Sequence, residues 1–308
     1  MFFSGVGGGV AGSTYPSTDE AMLGAEAAYA GMEADLQAYL DSYEANHSYD
    51  EYHFDLGEIG QDPYVLISLL TAYHQGEWTL EQVQPTLEML FDRQYQLTET
   101  VVTETRYDED DEPYTYYICY VTLEVTDLSH LPVYLLDEDR LSMYATYMAT
   151  LGNRPDLFPQ DQYPGASVVE DYLDYDVPLE ALENEQFAAM LAEAEKYLGF
   201  PYVWGGSSPS TSFDCSGFVS WVINHSGWDV GRLGAQSLFN LCTPVSAANA
   251  KPGDLVFFTG TYESGTPVSH CGIYVGGGMM IHCGSPISYA DLSSSYWQEH
   301  LYSYARLP

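Results

Sequence analysis

The sequence predicts an α+β fold arranged in two units. Early in the chain, apolar residues recur at three- and four-residue steps, which is typical of amphipathic helices. Two later segments rich in Thr, Val and Tyr flank an acidic turn, and the last third of the chain has a helical block followed by short apolar strands. A domain usually takes about 100–200 residues, so 308 residues predict two domains.

The N-terminal unit is predicted to begin with three helices. Residues 17–20 match a capping box, and residues 22–39 carry the helical apolar period. The Asp62-Pro63 pair predicts the start of a second helix, which Gly76 is expected to end. Residues 79–82 form another capping box, which predicts a third helix.

A β-hairpin and a last helix complete this unit. Residues 97–107 and 114–125 have strand composition and lie on either side of an acidic turn. Residues 138–151 have a helical pattern that Gly152 closes.

Four segments follow from these patterns. Residues 1–16 are predicted to be a flexible stub and residues 17–152 an α+β domain of unknown function. Residues 153–179, which contain four prolines, are predicted to be a linker, and residues 180–308 a second α+β domain. The stub lacks the basic n-region of a signal peptide, so it is interpreted as plain disorder or as the end of a membrane anchor that precedes the chain.

The charge balance excludes nucleic acid as a partner. There are 45 acidic and 8 basic residues, a net charge of −37, whereas phosphate binding requires clustered Lys and Arg. Residues 1–178 hold 34 of the acidic residues and 4 of the basic ones. No segment has the run of about 20 apolar residues that crosses a bilayer.

Cys215 is the candidate nucleophile among five cysteines. Asp214 is a good N-cap, so Cys215 is expected in the first turn of a helix, with Phe218, Val219 and Val222 on the same face. The positive end of a helix dipole lowers a thiol pKa and favours the reactive thiolate. The segment alone is also compatible with a buried structural cysteine.

Two histidines are candidates for the base and its orienting partner. Residues 268–275 and 279–283 alternate as strands around a glycine turn, which places Val275 opposite Met279 and Gly272 opposite His282. His270 then shares a face with His282 as a diagonal neighbour. Two polar residues on a half-exposed sheet would give the same pattern. No metal site is predicted, because adjacent residues of a strand face opposite sides and each His-Cys pair diverges. No other cofactor is expected.

The last 40% of the chain, about residues 184–308, resembles the NlpC-type family of bacterial cell-wall cysteine peptidases, which have a papain-like core. Order and spacing both fit the family. The matching motifs are Tyr202-Val203-Trp204-Gly205-Gly206, Phe213-Asp214-Cys215-Ser216-Gly217-Phe218, Lys251-Pro252-Gly253-Asp254-Leu255-Val256-Phe257-Phe258, Ser269-His270-Cys271-Gly272-Ile273-Tyr274-Val275-Gly276 and Ile281-His282.

The resemblance implies a peptidoglycan hydrolase outside the cytoplasm that cleaves stem peptides at the γ-D-glutamyl–diamino acid bond. It implies Cys215 as nucleophile, His270 as base and His282 as orienting residue. The implied substrate contacts are Tyr202, Trp204, Asp214 and Ser216. The alternatives are an N-acetylmuramoyl-L-alanine amidase or a transacylase on the same fold, or a non-catalytic scaffold of a conjugation or secretion apparatus.

Some residues depart from the family pattern or carry no assigned chemistry. Cys271 and Cys283 stand where small or aliphatic residues are usual and are expected to pack in the core. The stretch at Arg232 and Gln236 matches only loosely, so neither residue receives a role.

The N-terminal region weakly resembles the regions that precede such domains in conjugative, mobile-element wall proteins, some of which hold a muramidase-like domain there. Glu20, Glu26 and Asp62 are interpreted as caps and solvated faces, and no second activity is predicted.

Overall fold

The structure, a computed structural model, describes residues 12–169 and 173–308. It divides into two compact units. Tyr15–Leu135 and Arg154–Ser167 form the N-terminal unit, while Leu136–Asn153 and Val168–Pro308 belong to the C-terminal unit. Both are α+β, as predicted. Within the described residues, no helix has the length and apolar character needed to cross a membrane.

The domain boundaries drawn from the sequence stay a prediction. The compact units divide the predicted linker near residue 167 and group the helix that follows residue 137 with the C-terminal unit. Residues 1–11 of the predicted stub lie outside the described residues.

The helices of the N-terminal unit are α1 (Asp19–Asp41), α2 (Tyr43–Asn46), α3 (Pro63–His74), α4 (Leu80–Gln94) and α5 (Pro132–Leu135). The predicted capping box at the start of α4 is confirmed. At α1 the prediction was wrong in detail: Thr18 is the N-cap, and the Ser17 hydroxyl instead accepts from the Trp78 N–H at 3.0 Å. The left-handed residue that ends α3 is Gln75 rather than Gly76.

The strands of this unit form one three-stranded sheet, made of β1 (Glu51–Leu56), β2 (Tyr95–Tyr107) and β3 (Pro113–Val125). The predicted hairpin is confirmed as the antiparallel pair β2–β3. The sequence patterns missed β1, which pairs in parallel with the other side of β3. Most of β1 is exposed, but Tyr52, Phe54 and Leu56 alternate with polar residues, so a strand signal was present and was overlooked.

Two carboxylates of this unit have different environments. Asp62 caps α3 by accepting from the Tyr64 N–H at 2.9 Å, as predicted. Glu26 is only 7% exposed, and the Tyr163 hydroxyl donates to it at 3.1 Å, so its assignment to a solvated face was wrong. Tyr163 comes from a segment 137 residues away, which the local pattern around Glu26 does not reveal.

The helices of the C-terminal unit are α6 (Glu138–Thr150), α7 (Glu185–Ala194), α8 (Cys215–Asn224), α9 (Ala235–Leu241) and α10 (Ser295–His300). Its strands are β4 (Ser207–Ser208), β5 (Ser212–Phe213), β6 (Thr243–Val245), β7 (Leu255–Phe258), β8 (His270–Gly276), β9 (Met279–Cys283), β10 (Ile287–Asp291) and β11 (Leu301–Arg306).

Six of these strands form one antiparallel sheet in the order β10-β9-β8-β7-β11-β6. A short pair, β4–β5, precedes α8. The prediction of a helical block followed by antiparallel strands is confirmed. At the β8–β9 turn, Met279 pairs with Gly276 and not with Val275, because a register shift follows Tyr274.

The two faces of this sheet are covered differently. One face carries Cys271, Ile273 and Ile281, and it packs in a large core with apolar residues of α7 and α8. The opposite face carries Phe258 and Met280 in a smaller core that Trp297 of α10 helps to cover. His270 is the first residue of β8.

A covering segment, residues 173–177, lies along the edge strand β10. The Tyr289 N–H donates to the Leu173 carbonyl oxygen at 3.1 Å, and the Tyr175 ring packs edge-on against the Tyr289 ring at 5.7 Å between centroids. Tyr175 and Val177 also pack against the large core. This part of the predicted linker is therefore packed against the sheet.

Candidate active site

The start of α8 is held by a tightly bonded cap. The Asp214 carboxylate accepts from the Gly217 N–H at 2.6 Å and from the Ser216 hydroxyl at 2.9 Å. A methyl group added at Gly217 would lie 2.1 Å from the Gly206 carbonyl oxygen, so only glycine permits this approach of the preceding turn. The cap and the close contact together fix Cys215 at the first helical position.

Cys215 is 5% exposed and lies against the beginning of β8. Its sulfur is 4.0 Å from the Ser269 carbonyl oxygen. Its pKa is held well below the ordinary value by a hydrogen bond from the Cys271 thiol and by the charge and hydrogen bond of the His270 imidazole, against the opposing effect of burial. The arrangement therefore stabilises a thiolate at the predicted nucleophile.

His270 and His282 form a direct hydrogen bond. Nε2 of His270 is 2.9 Å from Nδ1 of His282, and both residues are less than 10% exposed. The register that brings them together pairs Gly272 with His282, as the sequence predicts. The nitrogen of His270 that remains for the thiol is Nδ1.

The environment of His282 fixes the direction of this hydrogen bond. Burial, together with the charge of His270, holds the pKa of His282 well below its ordinary value, so its ring stays neutral. A neutral His282 accepts at Nδ1 from Nε2–H of His270 while His270 is protonated. This is the arrangement of an imidazolium–thiolate pair with an orienting third residue.

The predicted substrate contacts Tyr202, Asp214 and Ser216 lie beside the thiol. The pKa of Tyr202 is raised by burial and then by the charges of Cys215 and Asp214, so its hydroxyl remains protonated. Burial, then the Cys215 charge, raises the pKa of Asp214, against the opposing charge of Arg232. Ser216 is 6% exposed and donates to Asp214.

Comparison with known proteins identifies the family of this part of the chain. The profile of the NlpC/P60 family matches residues 199–306, a span that holds the thiol, both histidines and the three contacts beside them. Residues 199–306 are an NlpC/P60 family domain.

Two relatives match the same part of the chain. The bifunctional muramidase/DL-endopeptidase CwlT of Bacillus subtilis is 47% identical over 122 residues, which are 39% of this chain and 36% of that protein. The gamma-DL-glutamyl hydrolase of Bacillus subtilis is 40% identical over 114 residues, which are 36% of this chain and 27% of that protein. The chain thus spans about a third or less of the length of these relatives.

Among solved structures, a lipoprotein-like NLP/P60 family protein of Staphylococcus aureus is similar. It is 43% identical, covers 44% of this chain and 43% of its own, and has a TM-score of 0.39.

Arg232 in the NlpC/P60 domain has contacts that the sequence did not assign. Its guanidinium forms an ion pair with Asp214 and donates to the Ser216 hydroxyl at 2.9 Å. It therefore holds two of the predicted substrate contacts in place. The loose motif match at this position was the available signal. Gln236, the other unassigned residue, accepts from the Val268 N–H at 3.1 Å and anchors the segment before β8.

Trp204, the fourth predicted contact, forms an aromatic pair with Tyr262. The ring centroids lie 5.2 Å apart in an edge-on arrangement, and Tyr262 is 40% exposed. The pKa of Tyr262 is raised by burial and then by the charges of Cys215 and Asp214. Tyr262 is therefore close enough to Cys215 to interact with its charge. Tyr262 belongs to the loop before β8, which has no periodic pattern to identify it.

Cys271 has a role that alternation along a strand did not predict. It is fully buried, as expected, but its thiol bonds to Cys215. Burial, then this bond, raises its pKa well above the ordinary value, so Cys271 remains a thiol that donates to the thiolate. Cys283 is also fully buried, and its thiol donates to the Phe213 carbonyl oxygen at 3.1 Å.

The sequence argument that neighbouring strand residues cannot converge is too strict at the end of a strand. At that end, His270 and Cys271 both reach Cys215. Among the described residues, no group of three or more His, Cys, Asp or Glu side chains has the arrangement of a metal site.

Proposed function

We propose that the NlpC/P60 domain is a cysteine endopeptidase that hydrolyses the stem peptides of peptidoglycan. The observation that carries the proposal is the buried Cys215 thiol with a lowered pKa, next to a His270 ring hydrogen-bonded to His282 at 2.9 Å. The relatives named as a DL-endopeptidase and as a gamma-DL-glutamyl hydrolase support the same reaction class.

The first half of the reaction is acylation of the thiol. The Cys215 thiolate attacks the scissile carbonyl carbon, and the His270 imidazolium donates its Nδ1 proton to the departing amine. The C–N bond breaks as the C–S bond of the thioester forms. His282 holds the His270 ring in position throughout, because it accepts from the other ring nitrogen.

The second half is hydrolysis of the thioester. Neutral His270 accepts a proton from water, whose oxygen attacks the thioester carbon; the C–S bond breaks, the thiolate leaves, and the new carboxyl group loses its proton to solvent. The first N–H groups of a helix have no carbonyl partner within the helix. The N–H of Cys215, at the first position of α8, is therefore available to bind the developing oxyanion.

The bond cleaved is proposed to join the γ-carboxyl of D-glutamate to the diamino acid. The polar groups beside the thiol support a peptide substrate that carries charged and hydrogen-bonding groups. Tyr202 offers a protonated hydroxyl, and Asp214 and Ser216 lie on a rigid helix cap. Trp204 with Tyr262 adds an aromatic surface to the same side.

Digestion of purified peptidoglycan tests this proposal. Muropeptides are separated after incubation with the parent protein and with the Cys215→Ala variant, and mass spectrometry identifies the new termini. Free diamino acid N-termini that depend on Cys215 are expected. Cys242→Ala is the matched control, because burial and the charge of Asp254 raise the pKa of Cys242 to about 12, which disfavours its thiolate. New termini from cleavage between muramic acid and L-alanine would instead identify an amidase. Equal digestion by the parent protein and by Cys215→Ala would refute a cysteine mechanism.

The whole chain is proposed to act outside the cytoplasm on the cell wall. The N-terminal unit is proposed to bind a component of a conjugation or secretion apparatus. This unit is rich in acidic residues, and its sheet carries exposed tyrosines such as Tyr107, Tyr114 and Tyr117. Removal of residues 1–167, which keeps the covering segment on β10, is expected to leave wall digestion in vitro intact and to abolish a transfer phenotype. A membrane anchor upstream of the chain belongs to the same proposal.

A further inference from the structure

Trp297 lies against both histidines of the proposed catalytic site. Its ring stacks on His270 with 5.5 Å between centroids and 24° between planes. It meets His282 edge-on at 5.0 Å and 82°. The indole therefore touches both partners of the hydrogen bond that orients the base.

The indole is itself held in place by its surroundings. It packs against Phe258 at 4.6 Å, and Phe258 in turn packs against His270 at 5.9 Å. Trp297 belongs to α10, a six-residue helix that begins at the Ser294 cap and contains no fully buried residue. The helix thus contributes to the smaller core through a half-buried tryptophan placed over the histidines.

We propose that Trp297 is a positioning residue for the base: its ring fixes the orientation of His270 and keeps water away from the hydrogen bond between His270 and His282. A hydrogen bond is stronger in a site of low local dielectric. The face of an indole also attracts a cation, so stacking favours the protonated imidazole that must donate to the leaving group.

Among the described residues, few titratable groups contact His270. They are the Cys215 thiol from α8 and the His282 imidazole from β9, with Cys271 adjacent on β8. The rings contributed by β7 and α10, Phe258 and Trp297, do not titrate. A change in the ionisation of Cys215 after substitution of Trp297 is therefore attributable to the position or the protonation of His270.

The test compares Trp297→Ala, Trp297→Phe and, as a matched control, Trp228→Ala. Trp228 packs against the large core and its indole N–H donates to the Pro308 carbonyl oxygen, away from the histidines. Three quantities are measured for each full-length variant: kcat and KM on a soluble stem peptide, the pH dependence of Cys215 alkylation by iodoacetamide located by peptide mass spectrometry, and Tm.

Trp297→Ala is expected to lower kcat by about 100-fold with KM changed less than about threefold, because misplacing a catalytic group by 1 Å has an effect of this order. The midpoint of Cys215 alkylation is expected to move to higher pH. Trp297→Phe keeps a stacked ring and is expected to recover most of kcat and of the midpoint. Trp228→Ala is expected to lower Tm without moving the midpoint.

The proposal is overturned if Trp297→Ala leaves both kcat and the alkylation midpoint unchanged, or if it lowers Tm alone, as a packing residue would. The proposal rests on the proposed roles of Cys215 and His270, but the alkylation assay needs no substrate. Absence of wall hydrolysis in the parent protein would refute the proposed function, while the alkylation midpoints would still decide the role of Trp297.

Discussion

Substitution of Gly217 by alanine tests how the start of α8 is built. The added Cβ would lie 2.1 Å from the Gly206 carbonyl oxygen. Non-bonded carbon and oxygen atoms need about 3 Å or more, so helix and turn must separate by about 1 Å. Both atoms are close to the backbone, so rotation of a flexible side chain cannot relieve the contact.

The cost has two parts. Overpacking of a rigid site costs about 1–3 kcal/mol. The separation also weakens the cap in which the Gly217 N–H bonds to Asp214 at 2.6 Å, and an N-cap is worth about 1 kcal/mol. The free energy of unfolding is therefore expected to fall by about 3 kcal/mol, which lowers Tm by about 10 °C for a unit of this size.

Calorimetry and wall digestion measure the two consequences. Activity is expected to fall about 100-fold in the protein that remains folded, because Cys215 moves with the helix start. Gly265→Ala is the matched control, since no atom lies within 4 Å of its added Cβ, and its Tm is expected to stay at the parent value. A Gly217→Ala protein with parental Tm and activity would show that the described approach of helix and turn is wrong.

Three further predictions concern ionisation. His282→Ala is expected to lower kcat at least about tenfold, since it removes the acceptor that orients His270, while His282→Asn keeps an acceptor and retains more activity. His270→Gln is expected to raise the pH midpoint of Cys215 alkylation, because the cation that helps lower the thiol pKa is lost. Burial raises the pKa of Glu26 in the folded protein, so the contribution of its protonated carboxyl to the free energy of unfolding is complete below the unfolded pKa of about 4.3 and is lost as pH rises. Glu26→Gln should therefore raise Tm at pH 7 but not at pH 4. Glu20→Gln, at an exposed position, should change Tm at neither pH.

Each of these predictions has a contradicting result. Parental kcat in His282→Ala would remove the orienting role from that residue. An unchanged alkylation midpoint in His270→Gln would mean that the Cys271 thiol and the helix N-terminus alone lower the pKa of Cys215. A lower Tm at pH 7 for Glu26→Gln would show that the ionised carboxylate, bonded to Tyr163, stabilises the fold.

The parts of the site that depend on local periodicity were predictable. The two-residue period of a strand, together with a glycine turn, suffices to place Gly272 opposite His282, and hence His270 beside His282. A register shift of one residue occurs nearer the turn, but it does not reach the histidines. In the same way, Asp214 as an N-cap fixes Cys215 in the first helical turn.

The parts that depend on distant segments were not predictable from local pattern. Trp297 reaches His270 from a short helix 27 positions later, and Arg232 reaches Asp214 from an irregular segment. The position of α10 depends on the packing of the whole sheet. A six-residue helix with no buried residue leaves too weak a periodic signal to be identified.

The covering segment over β10 matters for anyone who shortens this protein. An uncovered edge strand presents free N–H and C=O groups to other chains and invites intermolecular pairing. A fragment that starts at residue 180, the boundary drawn from sequence, would lose Leu173 and Tyr175 and uncover Tyr289. A fragment that begins at Val168 keeps that edge occupied, so it should remain monomeric at concentrations at which the shorter one aggregates.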